Sequence, residues 1–281
     1  MLNGKTKIAG VIGWPIAHSQ SPRLHNFWLQ ELSLNGVYIP LEVHPSNIIE
    51  AFKSLPKLGF SGVNITVPYK EQICDILDHI DPFAARVGAV NTIVIGENGQ
   101  MFGTNSDGFG FLENVKQSIP LWDPIGSKVV VVGAGGATRS IIASLIDVGV
   151  TNIRIVNRTF ERAKVLVEQI NYPIEIFSWH NIDDAIIGSN FFINTTTLGM
   201  YGQPPLLCDL TKLAPDAIVT DIVYSPLTTP LLSNAKKLGF AVVDGLGMLL
   251  HQARPGFKSW FGYMPEVSPK LRSFIIEGIG D

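Results

Sequence analysis

The stretch that most restricts the fold lies mid-chain, where Lys128-Val-Val-Val-Val132 runs into Gly133-Ala-Gly135-Gly136-Ala137-Thr138-Arg139 and then Ser140-Ile-Ile-Ala-Ser-Leu-Ile-Asp147. An unbroken run of β-branched side chains favours a strand buried on both faces, as in parallel sheets. The apolar residues that follow read as a helix. Between them the chain must turn tightly, and glycine lets the backbone of the helix N-terminus approach a ligand closely. Free N–H groups at that terminus attract an anion. The order strand, glycine turn, helix therefore predicts a dinucleotide-binding βαβ unit over 128 to 158, with Gly133, Ala134, Gly135, Gly136 and Ala137 against a pyrophosphate. The bland alternative is a glycine-rich connection with no ligand. The sixth position of the fingerprint is Thr138, where a small residue normally allows close helix packing, so the turn reads as irregular.

The second strand of the unit ends at Asn157-Arg158-Thr159. An NAD site usually places a carboxylate there against the ribose hydroxyls, and a carboxylate would repel a 2′-phosphate. Arg158 attracts one instead. Arg162, four residues on, shares its helix face, and guanidinium binds phosphate with a matched fork. The expected cofactor is NADP rather than NAD. Judged from charge alone, two solvated surface arginines are the competing reading.

Around this unit, KIAGVIG (7 to 13), VYIPLEV (37 to 43), GVNIT (62 to 66) and AVNTIVI (89 to 95) alternate with helix-like segments at 22 to 34, 46 to 55 and 68 to 77. An Asn98-Gly99 turn leads into a short strand at 100 to 103, a hairpin expected at the edge of the first sheet. A helix at about 108 to 118 and the breaker-rich Pro120 to Pro124 precede further strand patterns at 128 to 133, 153 to 157, 191 to 196, 217 to 224 and 241 to 245. The expected class is α/β with two domains. Residues 1 to 105 read as a mixed, mostly parallel substrate domain and 106 to 245 as a Rossmann-like NADP domain, with helices in 246 to 281 packing back on the first. A chain of 281 residues with 46% hydrophobic side chains is long enough for two cores.

A net charge of −3 with 16% charged residues gives no basic footprint for nucleic acid or a membrane surface, so the expected partner is a small molecule. Cys74 and Cys208 are far apart and form no CxxC, and the six histidines show no paired spacing, so neither disulfide nor metal is expected. The start MLNGKTKIAGVIG lacks the marks of a signal peptide, and no apolar run is long enough for a membrane span, which predicts a cytoplasmic protein. The sequence leaves monomer and homodimer both open.

Polar residues gather where the strands of the first half end, the usual ligand edge of an α/β sheet. They are Ser19-Gln-Ser21, Asn64-Ile-Thr66-Val-Pro-Tyr-Lys70, Ala89-Val-Asn91-Thr92 and Thr104-Asn-Ser-Asp107. With GAGGA, NRTFER, Asp221-Ile-Val-Tyr224-Ser-Pro226 and Gly245-Leu-Gly-Met-Leu-Leu-His-Gln252, these segments resemble the motifs of the shikimate dehydrogenase family, in the family's order and over nearly the whole chain. The resemblance implies reversible reduction of 3-dehydroshikimate to shikimate by NADPH, in aromatic amino-acid biosynthesis. It implies that Lys70 and Asp107 form the catalytic pair and that Ser19 and Ser21 bind the substrate carboxylate. It further implies that Asn64, Thr66, Asn91, Tyr224 and Gln252 line the substrate pocket, and that Asn157 and Thr159 join Arg158 and Arg162 around the 2′-phosphate.

Local chemistry offers plainer roles for several of these residues. Ser21-Pro22 reads as an N-cap with proline at the first helical position, and Asp107 as the N-cap of the next helix. Lys70 would be a solvated helix lysine, Asn91 or Thr66 would satisfy buried backbone, Tyr224 would be core, and Gln252 would be a solvated helix residue. Two further departures from the family pattern are Ser106, where threonine is common, and Pro255, which is expected to end or kink the helix carrying Gln252. Two rival functions are a quinate/shikimate dehydrogenase using NAD and a non-catalytic NADP-binding regulator on the same fold.

Overall fold

In the computed structural model, which describes residues 2 to 279, the apolar runs form two six-stranded sheets. The chain divides into two compact units, one comprising residues up to Ser106 together with those from Gln252 onward, the other Asp107–His251.

The first unit holds β1 (Lys7–Gly13), α1 (Ser21–Glu31), β2 (Gly36–Glu42), α2 (Ile48–Ser54), β3 (Phe60–Ile65), β4 (His79–Ile80), α3 (Pro82–Val87), β5 (Thr92–Ile95) and β6 (Met101–Thr104). Its sheet runs β2-β1-β3-β5-β6-β4, with β1 parallel to both neighbours, β5 antiparallel to both, and β4 parallel to β6. The hairpin at Asn98-Gly99 forms, with Gly99 at φ 79°. It is not at the sheet edge, because β4 pairs outside β6; that strand is too short to show a period. The helix expected over 68 to 77 is replaced by turns, with a 3-10 helix at Gln72–Ile76. The reason is tertiary: Val90 N donates to Lys70 O (2.8 Å), the carbonyl an α-helix would offer to Cys74, and Cys74 N turns to Glu71 O instead. Ile12, Phe52, Val63, Ile65, Tyr69 and Ile93 form the core on one side of this sheet.

The second unit holds α4 (Asp107–Ser118), β7 (Lys128–Val132), α5 (Gly136–Asp147), β8 (Asn152–Asn157), α6 (Phe160–Ile170), β9 (Glu175–Ser178), α7 (Ile182–Ala185), β10 (Phe191–Asn194), β11 (Ile218–Asp221), α8 (Pro230–Lys237) and β12 (Ala241–Val243). All neighbours in the order β12-β11-β10-β7-β8-β9 are parallel, the doubly wound arrangement that switches direction between β7 and β10. Val129 to Val132 are buried throughout, as the unbroken valine run requires. β9 has no counterpart among the strand patterns of the sequence.

Helix α9 (Gly245–Phe261) begins in the second unit and continues into the first, and α10 (Pro269–Glu277) follows it. Pro255 neither ends α9 nor stops the helix short of Phe261. An internal proline costs roughly 3 kcal/mol. Fully burying Phe257 and Trp260 returns about 1.5–3 kcal/mol each, enough to hold the helix. Trp260 Nε1 donates to Ile93 O (3.0 Å) and Trp28 Nε1 to Glu266 O (3.0 Å), so the C-terminal segment is bonded to the first sheet and to α1. Gly62 permits this approach, since a Cβ there would stand 2.2 Å from the Trp260 nitrogen.

Candidate functional site

In the first unit, β1, β3 and β5 bring most of the expected substrate residues into one hydrogen-bonded cluster. Ser19 Oγ accepts from Ser21 N (3.3 Å) in the turn after β1. Ser21 is itself the first residue of α1 and makes no cap, which corrects the N-cap reading. Its side chain faces the hydroxyl of Tyr38, a fully buried tyrosine that burial holds in the protonated, donating form. That hydroxyl donates to Asn64 Oδ1 (2.7 Å), while Asn64 Nδ2 donates to Asn91 O (3.1 Å) and Thr92 Oγ1 (3.0 Å). Because a backbone carbonyl only accepts, the orientation of the Asn64 amide is settled.

Asn91 is oriented just as firmly. Its Oδ1 accepts from Ser106 N (3.0 Å) and Thr92 Oγ1 (2.9 Å), with Ser106 Oγ 3.2 Å away. With the oxygen committed, the amide turns its two N–H donors the other way. Ser106 Oγ gives its one hydrogen to Gln252 O (2.8 Å), which fastens the segment after β6 to α9. Thr66 follows β3, its N–H donating to Ile12 O (3.0 Å), and the Lys70 carbonyl accepts from Val90 N, one residue before Asn91. Ser19, Ser21, Asn64, Thr66, Lys70, Asn91 and Gln252 thus belong to the first unit; Lys70 and Gln252 are half-buried. Asp107, buried and directly following Ser106, opens α4 and the second unit as a first-turn helix residue rather than the cap before it.

In the second unit, Gly133 follows β7 at φ 121° with its N–H on Val156 O (2.8 Å), and Ala134, Gly135, Gly136 and Ala137 lead into α5. A Cβ at Gly135 or Gly136 would meet no protein atom within 4 Å. Neither residue has a positive φ, so the fold alone does not demand glycine there. The bare backbone is open to something other than protein, as close approach of a phosphate requires. Asn157 ends β8 and its amide donates to Thr159 O (2.7 Å), setting the turn into α6. Arg158 and Arg162 are exposed at the start of that helix and have no ion-pair partner among the described residues. These groups fit a dinucleotide carrying an additional phosphate.

Tyr224 lies in the second unit after β11, half-buried, its phenol pushed upward by burial. Its loop hangs on Asp221, a motif residue to which the sequence assigns no role of its own. The Asp221 carboxylate is fully buried and accepts from Asn194 Nδ2 (2.9 Å), Val223 N (3.0 Å) and Thr229 Oγ1 (2.7 Å). Burial outweighs these bonds and pushes its pKa up to about 6. Tyr38 and Ser106 were likewise missed as orienting groups; their partners are distant in sequence and leave no local signal. Among the described residues no cluster of three His, Cys, Asp or Glu side chains could hold a metal ion, and no helix is long and apolar enough to cross a membrane.

Comparison with known proteins identifies the family. Residues 11–93 match the family model described as shikimate dehydrogenase substrate binding domain, and residues 115–200 match shikimate / quinate 5-dehydrogenase. A relative from Rhodospirillum rubrum named shikimate dehydrogenase (NADP(+)) is 50% identical over 280 residues, covering 98% of this chain and 99% of its own. A solved shikimate dehydrogenase in complex with NADP+ is 36% identical with a TM-score of 0.89, covering 99% of this chain and 98% of the other. A quinate dehydrogenase from Corynebacterium glutamicum in complex with NAD is 30% identical with a TM-score of 0.90, covering 97% and 99%. With one half of its residues identical to such a relative across almost the full length of both, the chain belongs to the shikimate dehydrogenase family.

Proposed function

We propose that this protein is an NADP-dependent shikimate dehydrogenase, reducing 3-dehydroshikimate reversibly to shikimate in the cytoplasm. The observation that carries the reading is the oriented polar cluster of the first unit. Its hydroxyls and amides suit a small carboxylate bearing several ring hydroxyls, and Tyr38 and Ser106 hold the amides in place before any ligand arrives.

Ser19 and Ser21 take the substrate carboxylate, and Asn64, Thr66, Asn91, Gln252 and Tyr224 take the ring hydroxyls. Asn91 serves as a donor, since its oxygen is committed to Ser106 and Thr92. Backbone N–H groups of the Gly133 to Ala137 turn take the pyrophosphate, and Asn157, Arg158, Thr159 and Arg162 take the 2′-phosphate. NADPH supplies the hydride when bound. Lys70 delivers the proton to the carbonyl oxygen that becomes a hydroxyl and stabilises the negative charge developing there, with Asp107 as its carboxylate partner. In the oxidation direction the same lysine takes the proton back.

Lys70→Ala is expected to lower kcat by roughly 10²–10⁴-fold with a modest change in KM while the protein stays folded, the range for loss of a positioned acid. A parent-like rate would remove Lys70 from the mechanism. The likeness to a quinate dehydrogenase that binds NAD keeps the second reading in view. Initial rates for shikimate and quinate with each cofactor separate the two: Arg158 requires a preference for NADP that Arg158→Ala abolishes, and equal efficiency with NAD overturns the phosphate assignment. No turnover of either substrate beside tight NADP binding would mark a regulator.

A further inference from the structure

Thr138, the residue that makes the glycine fingerprint irregular, is completely buried. Thr195, the residue after β10, donates its hydroxyl hydrogen to Val132 O (2.7 Å), a carbonyl that can only accept. The two threonine hydroxyls are 2.7 Å apart, so the hydrogen between them comes from Thr138. Thr138 Oγ1 in turn accepts from Gly135 N (3.0 Å). The result is one directed chain, from the Gly135 N–H through two hydroxyls to the last residue of β7. Each bond in such a chain polarises the next.

Gly133 belongs to the same device. A Cβ there would stand 2.4 Å from Thr195 Oγ1, so any side chain would push the hydroxyl out of the chain. The Gly135 N–H is taken up by its bond to Thr138, while the N–H groups of Gly136 and Ala137, in the first turn of α5, have no carbonyl of that helix to bond. We infer that Thr138 and Thr195 are positioning residues of the dinucleotide site, a hydroxyl latch that holds the glycine turn in its anion-binding shape. The latch acts on the pyrophosphate, which NADP and NAD share, and does not set the choice between them. This rests on the reading of the turn as an NADP site.

The test is direct titration of NADPH and NADH binding to the full-length protein. Thr138→Val keeps the shape of the side chain and removes the hydroxyl; it should weaken both cofactors by a similar factor, roughly tenfold for a lost bond that leaves a partner unpaired. Thr138→Ser restores the hydroxyl and should restore binding. Arg158→Ala, by contrast, should weaken NADPH alone. Parent-like binding by Thr138→Val, failure of Thr138→Ser to recover, or a loss confined to NADPH would each overturn the latch. If Thr138→Val does not fold, Thr195→Val and Thr195→Ser make the same measurement from the other end of the chain. Failure of the parent protein to bind NADPH would overturn the site reading itself, a result distinct from those three.

Discussion

Acidification should loosen the first unit through one residue, His25. Its imidazole is fully buried, neither ring nitrogen has a hydrogen-bond partner among the described residues, and the ring lies flat on Tyr38 with centroids 4.0 Å apart and planes 5° apart. Trp28, Phe257 and Trp260 close around it. Burial pushes its pKa down to about 3, opposed by the nearby Asn64 side chain. In the unfolded chain the same ring titrates near 6.5. Between those values the unfolded state binds a proton that the native state refuses, so stability rises with pH by about 1.4 kcal/mol per unit and is level above roughly 6.5. Going from about pH 7.5 to about pH 5 therefore removes roughly 2 kcal/mol, a substantial part of an ordinary domain's stability. His25→Gln does not titrate. Urea titrations of both proteins at the two pH values, read by pulsed hydrogen exchange in peptides from α1 and β2, isolate the term. The parent's stability relative to the variant should fall by about 2 kcal/mol on acidification. A relative stability unchanged within about 0.5 kcal/mol, or one that moves toward the parent, would refute the reasoning.

Asp221 should act in the opposite sense on the second unit. Its pKa is raised to about 6, so the native carboxyl keeps a proton the unfolded chain has lost, and stability falls by roughly 2 kcal/mol as pH rises from about 4 to about 6. Asp221→Asn should abolish that slope in exchange measured on β10 and β11 peptides; an identical slope would show that the proton sits elsewhere. Ser106→Ala removes the hydroxyl that bonds Gln252 O and lies 3.2 Å from Asn91 Oδ1, and should raise KM for shikimate roughly fivefold without changing KM for NADPH. Ser106→Thr should behave as the parent, and a loss shared by Ala and Thr would mean that packing, not the hydroxyl, matters.

What could be read from the sequence was what neighbours along the chain decide. The valine run, the glycine turn and the arginines after β8 each carry their meaning within a few residues, and the βαβ unit formed where they placed it. The turns at 68 to 77 could not be read, because the N–H that takes the Lys70 carbonyl belongs to Val90. Pro255 could not be weighed either, since the aromatic burial that holds α9 together comes from the sheet beneath it. Within the site, residue types were legible and commitments were not. Asn91 is recognisable as a donor and acceptor; that it presents donors follows only from Ser106, fifteen residues on.

Thr138 shows where a glycine fingerprint stops being informative. Such a pattern states where side chains must be missing so that a backbone and a phosphate can meet. It cannot state what keeps a chain of glycines, the most mobile residues available, in a single shape once the side chains are gone. In this fold that task falls to hydroxyls at Thr138 and Thr195, which take up the Gly135 N–H and fasten it to the end of β7. A threonine at the sixth position is then not a loss of packing space. It supplies from a neighbouring position the rigidity that the glycines lack, and Gly133 stays bare partly to make room for the partner hydroxyl.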